Sequence, residues 1–104
     1  MDAFHGKTLS ELWAIVRAIP RGKVMSYGEV GLRLAHPASG FMVGRWMARA
    51  PDGVPWWRVV AKTGALPVGK RNPGLRTEQE ERLRAEKVAF LEPGKVDMSK
   101  SSFA

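Results

Sequence analysis

Two adjacent tryptophans, Trp56 and Trp57, are the residues whose type and spacing most suggest a function. They occur in the stretch VPWWRVV, residues 54–60, and make up half of the four tryptophans in the chain. The valines favour a strand, in which consecutive side chains point to opposite faces, so both indoles cannot enter one core. One indole can therefore line a pocket or a partner surface, since an exposed indole is costly unless it is used. Plain packing remains the alternative.

The chain lacks most of the side chains that catalyse reactions. It has no cysteine and only two histidines, His5 and His36. This composition excludes disulfides, thiolate metal sites and a cysteine nucleophile, and it argues against a histidine-rich metal site. A hydrolytic enzyme would need a poised acid, base or metal, and the middle of the chain offers none. We therefore expect no bound cofactor or metal, and the composition disfavours a hydrolytic enzyme.

Positive charge is concentrated in the middle of the chain. Residues 30–77 contain eight basic residues and a single acidic one, Asp52, so this segment carries the whole net charge of +7. A basic segment in a chain of pI near 10.4 suggests a polyanionic partner, and nucleic acid is the commonest. The alternative is a solvated basic surface without a partner.

The length of the chain predicts a single domain. A chain of 104 residues with 44% hydrophobic residues has enough for one modest core, so residues 1–104 are expected to form one domain. No segment approaches the ~18 apolar residues of a membrane span, and the N-terminus lacks the apolar core of a signal peptide. The expected location is the cytoplasm, in association with the nucleoid if the cell is bacterial.

Helical patterns fill the first half of the chain. Thr8 and Glu11 form a capping box ahead of an apolar stripe, and Ser26 can cap a second helix. A third helix should end at the turn PDG, residues 51–53. The patterns predict helices over residues 8–19, 27–35 and 39–50.

The second half of the chain is predicted to be more irregular. A hairpin turns near residues 62–64, and the stretch PVGKRNPG follows it. A last helix opens at Thr77 with Glu80 as capping partner and Leu83 facing inward, and the tail 98–104 is expected to fray. The predicted fold class is mainly α with a short β-hairpin, an α+β domain like helix-turn-helix or winged-helix DNA-binding domains.

The third helix has two unlike faces. One face is an apolar stripe of Val43, Trp46, Met47 and Ala50. The other face has small residues in its middle and arginines at its edge, so a backbone can approach a surface closely while the arginines neutralise phosphates. This second face consists of Phe41, Gly44, Arg45, Ala48 and Arg49.

Five motifs in order carry a family resemblance: VMSYGEV, MVGRWM, VPWWRVV, KTGAL and GLRTEQEERLRAE. Together they resemble the DNA-binding domain of O6-alkylguanine-DNA alkyltransferases, and more closely their non-enzymatic relatives, the alkyltransferase-like proteins. The resemblance runs from about Phe4 to Leu91. Because several motifs keep their order and separation, the set is far more specific than any one of them.

The resemblance implies that the reaction centre of the alkyltransferases has been replaced. Their motif Pro-Cys-His-Arg, whose cysteine accepts the alkyl group, reads Pro55-Trp56-Trp57-Arg58 in this chain. An indole is no useful nucleophile at neutral pH, but a flipped base can stack on it with about 1–3 kcal/mol. Trp56 would thus form the side of the pocket on which the base stacks, and Trp57 would pack in the core behind it. The resemblance gives Glu86, at the family's glutamate position, a structural role.

Other family roles carry over residue by residue. Tyr27 matches the tyrosine that helps to rotate the phosphate of the extruded nucleotide, and the third helix matches the helix that the family lays in the minor groove. Phe41 stands at the position of the family's intercalating arginine, and an apolar wedge there can separate neighbouring bases. Arg45, one turn further along, can replace some of the lost charge.

These roles give two sets of candidate residues. The lesion pocket is predicted from Tyr27, Trp56, Trp57, Arg58, Val60, Gly64, Val68, Gly69 and Lys70. In this set, Val60 and Gly64 contribute main-chain groups, Arg58 holds the loop, and residues 68–74 close over the base. The DNA-binding surface is predicted from Ser26, Tyr27, Phe41, Met42, Gly44, Arg45, Ala48, Arg49 and Arg71, with Phe41 as the intercalating residue.

The resemblance implies non-enzymatic recognition of DNA damage. A monomer would bind duplex DNA in the minor groove, flip an O6-alkylguanine onto Trp56 and flag the lesion for nucleotide excision repair proteins. The alternative is a general or sequence-specific helix-turn-helix DNA-binding protein, such as a transcription regulator, without a lesion pocket. Of the residues that read base edges, the third helix offers only Arg45 and Arg49, which disfavours a sequence-specific regulator.

Overall fold

The computed structural model describes residues 2–70 and 72–103, and the side chains of residues 6–70 and 72–103. The fold is mainly helical with two small sheets, which confirms the predicted fold class. Its helices are α1 (Asp2–Arg17), α2 (Tyr27–Leu32), α3 (Gly40–Met47), α4 (Pro73–Ala85) and α5 (Met98–Ser101). Its strands are β1 (Met25–Ser26), β2 (Val59–Val60), β3 (Phe90–Glu92) and β4 (Lys95–Val96). Two 3-10 segments are named here the tryptophan turn (Trp56–Arg58) and the lysine turn (Pro67–Lys70).

Side-chain caps fix the starts of the central helices. The Ser26 hydroxyl accepts a hydrogen bond from Glu29 N at 3.1 Å, and the Ser39 hydroxyl accepts one from Met42 N at 3.2 Å. These bonds satisfy backbone donors that the first helical turn leaves open. The predicted start of α2 is therefore confirmed, and α3 begins just after Ser39.

Two predicted helix starts are wrong. The first helix begins at Asp2, so Thr8 lies inside it, and the Glu11 carboxylate instead accepts a hydrogen bond from Ala35 N at 2.9 Å. The last helix begins at Pro73 because Asn72 caps it and proline, which lacks an N–H, suits the first helical position. The predicted capping boxes that begin at Thr8 and Thr77 therefore lie inside α1 and α4 and do not mark where these helices begin.

A close approach of backbones packs α2 against α3. A Cβ atom built on Gly31 would clash with the carbonyl oxygen of Ala38, so a side chain there would force the two backbones apart. Ala38 N donates to Gly31 O at 3.1 Å, which ties the connection back onto α2. Gly40 similarly lies against Gly28. The tight connection positions α3 with one face outward.

The hairpin lies elsewhere than predicted. The turn at residues 62–64 exists, since Ala61 N donates to Ala65 O at 3.0 Å, but β2 before it pairs in parallel with β1. The antiparallel hairpin is β3–β4, after α4. Val59 and Val60, which were expected to pair with the segment after the turn, pair instead with β1 from earlier in the chain.

The predicted fraying of the tail 98–104 is also wrong for the described residues up to 103. Asp97 caps α5, and Ser101 is buried. Val24 N donates to Ser101 O at 2.9 Å, and Phe103 N donates to Val24 O at 2.8 Å. The tail is held because the segment before β1 offers it unpaired backbone groups.

Two apolar clusters meet at the tryptophan turn. The first gathers the buried faces of α1, α2 and α3 with Val59, and Trp56 packs against it. The second gathers Val60, Leu83 and their neighbours under α4 and β4, and Trp57 packs against it. The turn is therefore anchored on both sides. Within the described residues, no helix has the length and apolarity needed to cross a membrane.

Candidate nucleic-acid interface

The tryptophan pair lies on a 3-10 turn and not on a strand. The two rings meet edge to face, with centroids 6.0 Å apart and an interplanar angle of 86°. Successive side chains of a 3-10 helix are separated by about a third of a turn. The strand assumption was therefore wrong, but the expectation that the indoles enter different surroundings is met.

Trp57 is directed toward α4. Its Nε1 donates to Glu86 Oε2 at 2.9 Å. The Arg82 guanidinium lies 4.5 Å from the ring centroid and that of Arg58 lies 5.6 Å away. A ring between two cations and a carboxylate is well fixed. These contacts support the expectation that Trp57 fills volume behind Trp56.

Arg58 and Glu86 form a largely buried ion pair. Arg58 Nη2 lies 2.7 Å from Glu86 Oε2 and its Nε lies 3.0 Å from Oε1, while Nη1 donates to the carbonyl oxygen of Ile19 at 2.9 Å. Burial raises the pKa of Glu86, but the hydrogen bonds from Arg58 and Trp57 outweigh it, so the pKa lies below its ordinary value. Both residues have structural contacts of the kind expected for them.

Gln79 on α4 contacts the tryptophan turn, and it was not among the residues predicted from the sequence. It is fully buried, and its Nε2 donates to the carbonyl oxygens of Trp57 at 3.1 Å and Val59 at 3.0 Å. Its position four residues before Leu83, on the inward face of an otherwise charged helix, was the available signal. A neutral amide among charged residues marks the place where α4 reaches the tryptophan turn.

A basic cleft gathers some of the predicted site residues, and we name it the tyrosine cleft. It has a volume of about 290 Å³ between α3, Tyr27 and the lysine turn. Its cationic side chains are Arg45 and Lys70, and no acidic residue is among the described lining. That lining consists of Tyr27, Gly40, Phe41, Gly44, Arg45, Pro67, Val68 and Lys70.

The outward face of α3 presents an exposed aromatic ring. Phe41 is 72% exposed, and the Arg45 guanidinium lies 5.9 Å from its ring centroid. Met42, Ala48 and Arg49 are also exposed. A Cβ on Gly44 would be in ordinary contact with Tyr27 at 3.9 Å, so the free fold does not require glycine there. This exposed face carries five of the residues that were predicted to contact DNA: Phe41, Met42, Arg45, Ala48 and Arg49.

The remaining predicted residues lie apart from the cleft lining. Trp56 and Trp57 lie on the tryptophan turn, Val60 is fully buried, and Gly69 lies against Arg76. Both main-chain groups of Gly64 have partners, because its N donates to Ala61 O and its O accepts from Val96 N. The Ser26 hydroxyl caps α2. Arg71 lies outside the described residues. Among the described residues, no three His, Cys, Asp or Glu side chains cluster as metal ligands.

The fold and the cleft define a class: a small, mainly helical domain with a basic cleft beside α3. The model of the 6-O-methylguanine DNA methyltransferase, DNA binding domain, family matches residues 7–88. The chain belongs to this family and is an alkyltransferase-like protein. A DNA base-flipping protein of Vibrio parahaemolyticus is 31% identical over 102 residues, covering 96% of this chain and 95% of that protein. One of Escherichia coli is 35% identical over 91 residues, covering 86% and 68%.

Solved structures share the whole fold. Atl1 of S. pombe, in complex with damaged DNA containing O6-carboxymethylguanine, superimposes with a TM-score of 0.84 at 25% identity, covering 95% of this chain and 96% of that one. A second S. pombe structure with DNA gives 0.81 at 26% identity, covering 100% and 97%. By contrast, the methylated-DNA–protein-cysteine methyltransferase of Salmonella typhimurium is 38% identical over only 58 residues, 54% of this chain and 34% of that enzyme.

Proposed function

We propose that this protein recognises DNA damage without repairing it. It binds duplex DNA in the minor groove, flips an O6-alkylated guanine out of the stack and holds it without chemistry. One observation carries this proposal: the chain has no cysteine at all. The family resemblance aligns Trp56 with the alkyl-accepting cysteine of the enzymes, which supports it. Without a thiolate, no group is available to accept an alkyl chain.

The relatives support a role in base flipping. The similar bacterial proteins are described as DNA base-flipping proteins, and Atl1 is seen with damaged DNA. The match to an alkyl-transferring enzyme covers about half of this chain. We infer that this chain shares the recognition step and not the transfer step.

The outward face of α3 is suited to opening a base pair. Gly44 and Ala48 have no side-chain atoms beyond Cβ, so the middle of this face can approach a minor groove that is only ~6 Å wide. Phe41 is exposed and can wedge between bases, while Arg45 and Arg49 neutralise phosphates. Extrusion costs a few kcal/mol, and least for a damaged pair, so some of the selectivity comes from the weaker pairing of the lesion.

The extruded base would pass the tyrosine cleft and stack on Trp56. Tyr27 and the lysine turn flank this path, and Lys70 lies at its edge without an acidic neighbour in the described cleft lining. Trp57 stays with Glu86 on the α4 side. The protein would act as a monomer, and the complex would flag the lesion to nucleotide excision repair proteins.

A competition titration tests this function. Two labelled duplexes that differ only in one O6-methylguanine compete for wild type, Trp56→Ala and Tyr27→Phe at one fixed salt concentration. We expect wild type to prefer the lesion, Trp56→Ala to lose about 1–3 kcal/mol of that preference, and mass spectrometry to find the DNA unchanged. Trp13→Ala, which removes an indole from the same apolar cluster on α1, is the matched control.

The outcomes separate the candidate functions. Equal affinity of wild type for both duplexes would refute lesion recognition and leave a general DNA-binding domain. Loss of the alkyl group from the DNA would refute the non-enzymatic character of the protein. An equal loss of preference in Trp13→Ala and Trp56→Ala would mean that the stability of the core, and not a stacking surface at Trp56, controls binding.

A further inference from the structure

The side-chain amide of Gln79 joins α4 to the tryptophan turn. Its two donated bonds end on the carbonyl oxygens of Trp57 and Val59, which lie on either side of Arg58. Its Oε1 has no hydrogen-bond partner among the described residues, although the side chain is fully buried. An unmatched buried acceptor destabilises a fold. The two donated bonds must therefore compensate for it.

The tryptophan turn has few hydrogen bonds of its own. Arg58 N donates to Pro55 O at 3.1 Å, and Val59 N donates to Trp56 O. A 3-10 segment of three residues has poor internal hydrogen-bond geometry, so its peptide planes depend on partners outside it. Gln79 supplies such partners at the end of the turn.

The two indoles of the turn are held in different ways. Trp57 is fixed through its own side chain, by Glu86 and the Arg82 guanidinium. The described contacts of Trp56 are apolar packing against the first cluster and the edge-to-face contact with Trp57. Without a polar anchor on the ring, the angle of the Trp56 indole depends on the backbone of the turn together with this packing.

We propose that Gln79 is a positioning residue that sets the orientation of Trp56 and, through it, the preference for alkylated over undamaged guanine. This inference rests on the proposed function. Stacking depends on the plane of the ring, so a tilt of the turn weakens contact with the flipped base. Contacts with phosphates come from other residues and do not depend on that plane.

Two substitutions at position 79 that nearly keep the shape of the side chain distinguish the effect of its hydrogen-bond donors from the effect of its volume. Gln79→Met keeps the length of the side chain and removes both donated bonds, whereas Gln79→Glu places acceptors against two carbonyl oxygens. The control is Leu83→Val, one turn further along the buried face of α4, which loosens the same helix and leaves these bonds in place.

The first readout is the lesion preference, the ratio of the dissociation constants for undamaged and O6-methylguanine duplexes. We expect Gln79→Met to lower this ratio about fivefold or more, with affinity for undamaged duplex within about twofold of wild type. Gln79→Glu should lower it further, and Leu83→Val should keep it.

The second readout, without DNA, is the set of four indole N–H resonances in a nitrogen-15 NMR spectrum. Gln79→Met should shift the Trp56 resonance, and Leu83→Val should leave it in place.

Each result decides the inference. A folded Gln79→Met that keeps both the wild-type ratio and the Trp56 resonance would overturn it. So would an equal loss of affinity for the two duplexes, which would reduce Gln79 to a residue that stabilises the fold. If wild type shows no lesion preference, the proposed function fails, and the NMR comparison alone then supports or overturns the positioning of Trp56 by Gln79.

Discussion

Replacement of Phe41 by alanine is expected to weaken binding to DNA while leaving the fold intact. The ring is 72% exposed, so we expect a melting temperature within about 3 °C of wild type. Full burial of a phenylalanine stabilises by about 1.5–3 kcal/mol. Because most of the Phe41 ring is exposed in the free protein, its burial in a base stack should contribute roughly 1–2 kcal/mol of this energy to binding. At 1.4 kcal/mol per factor of ten, affinity should fall about 5- to 30-fold.

Fluorescence anisotropy on an O6-methylguanine duplex, at one stated salt concentration, measures this loss. The control is Leu32→Ala on α2, which removes an apolar side chain that is also exposed, at 68%. Phe41→Arg should recover much of the affinity and steepen its dependence on log salt by about 0.9. The wedge interpretation fails if Phe41→Ala binds as wild type does, or if Leu32→Ala is weakened equally.

Two further predictions concern the frame of the site. Because the pKa of Glu86 is lowered in the fold, its ion pair with Arg58 stabilises the protein above the ordinary pKa of 4.5 and loses this effect as pH falls below it. Glu86→Gln should therefore reduce the free energy of unfolding by about 3 kcal/mol at pH 7 and flatten its acid dependence in urea titrations. Gly31→Ala, against the Ala38 carbonyl, should cost about 1–3 kcal/mol by the same assay, whereas Gly28→Ala, with open space around its Cβ, should not destabilise.

Local sequence signals predicted the helical frame well. Ser26 and Ser39 cap helices because a short hydroxyl side chain before an apolar stripe satisfies open backbone donors, and this depends on nearby residues alone. The same pattern misled at Thr8 and Thr77, where the helix had already begun. A capping box describes residue types, and it does not show that the preceding residues are outside the helix.

Long-range pairing is what the sequence could not supply. Val59 pairs with Met25, and Phe103 N donates to Val24 O, across separations that no local pattern encodes. The tail was expected to fray for this reason. For the site, a resemblance aligned the motifs as a whole, and the structure brings six of the predicted residues together in the tyrosine cleft: Tyr27, Phe41, Gly44, Arg45, Val68 and Lys70. Gln79 was missed, since a buried amide in a charged helix looks like a solvated residue until its partners are known.

The contacts of the two tryptophans give each a separate role. The indole of Trp57 makes two polar contacts with α4 and its C-terminal cap. Its N–H donates a hydrogen bond to the Glu86 carboxylate, and its π face is in cation–π contact with the Arg82 guanidinium. This holds Trp57 on the α4 side of the turn. Trp56 packs against the first apolar cluster, and its described contacts include no polar anchor on the ring, so the turn beneath it helps to set its orientation. The stacking surface that we propose at Trp56 needs a fixed plane, and this arrangement anchors one indole through its side chain while the backbone of the turn helps to direct the other.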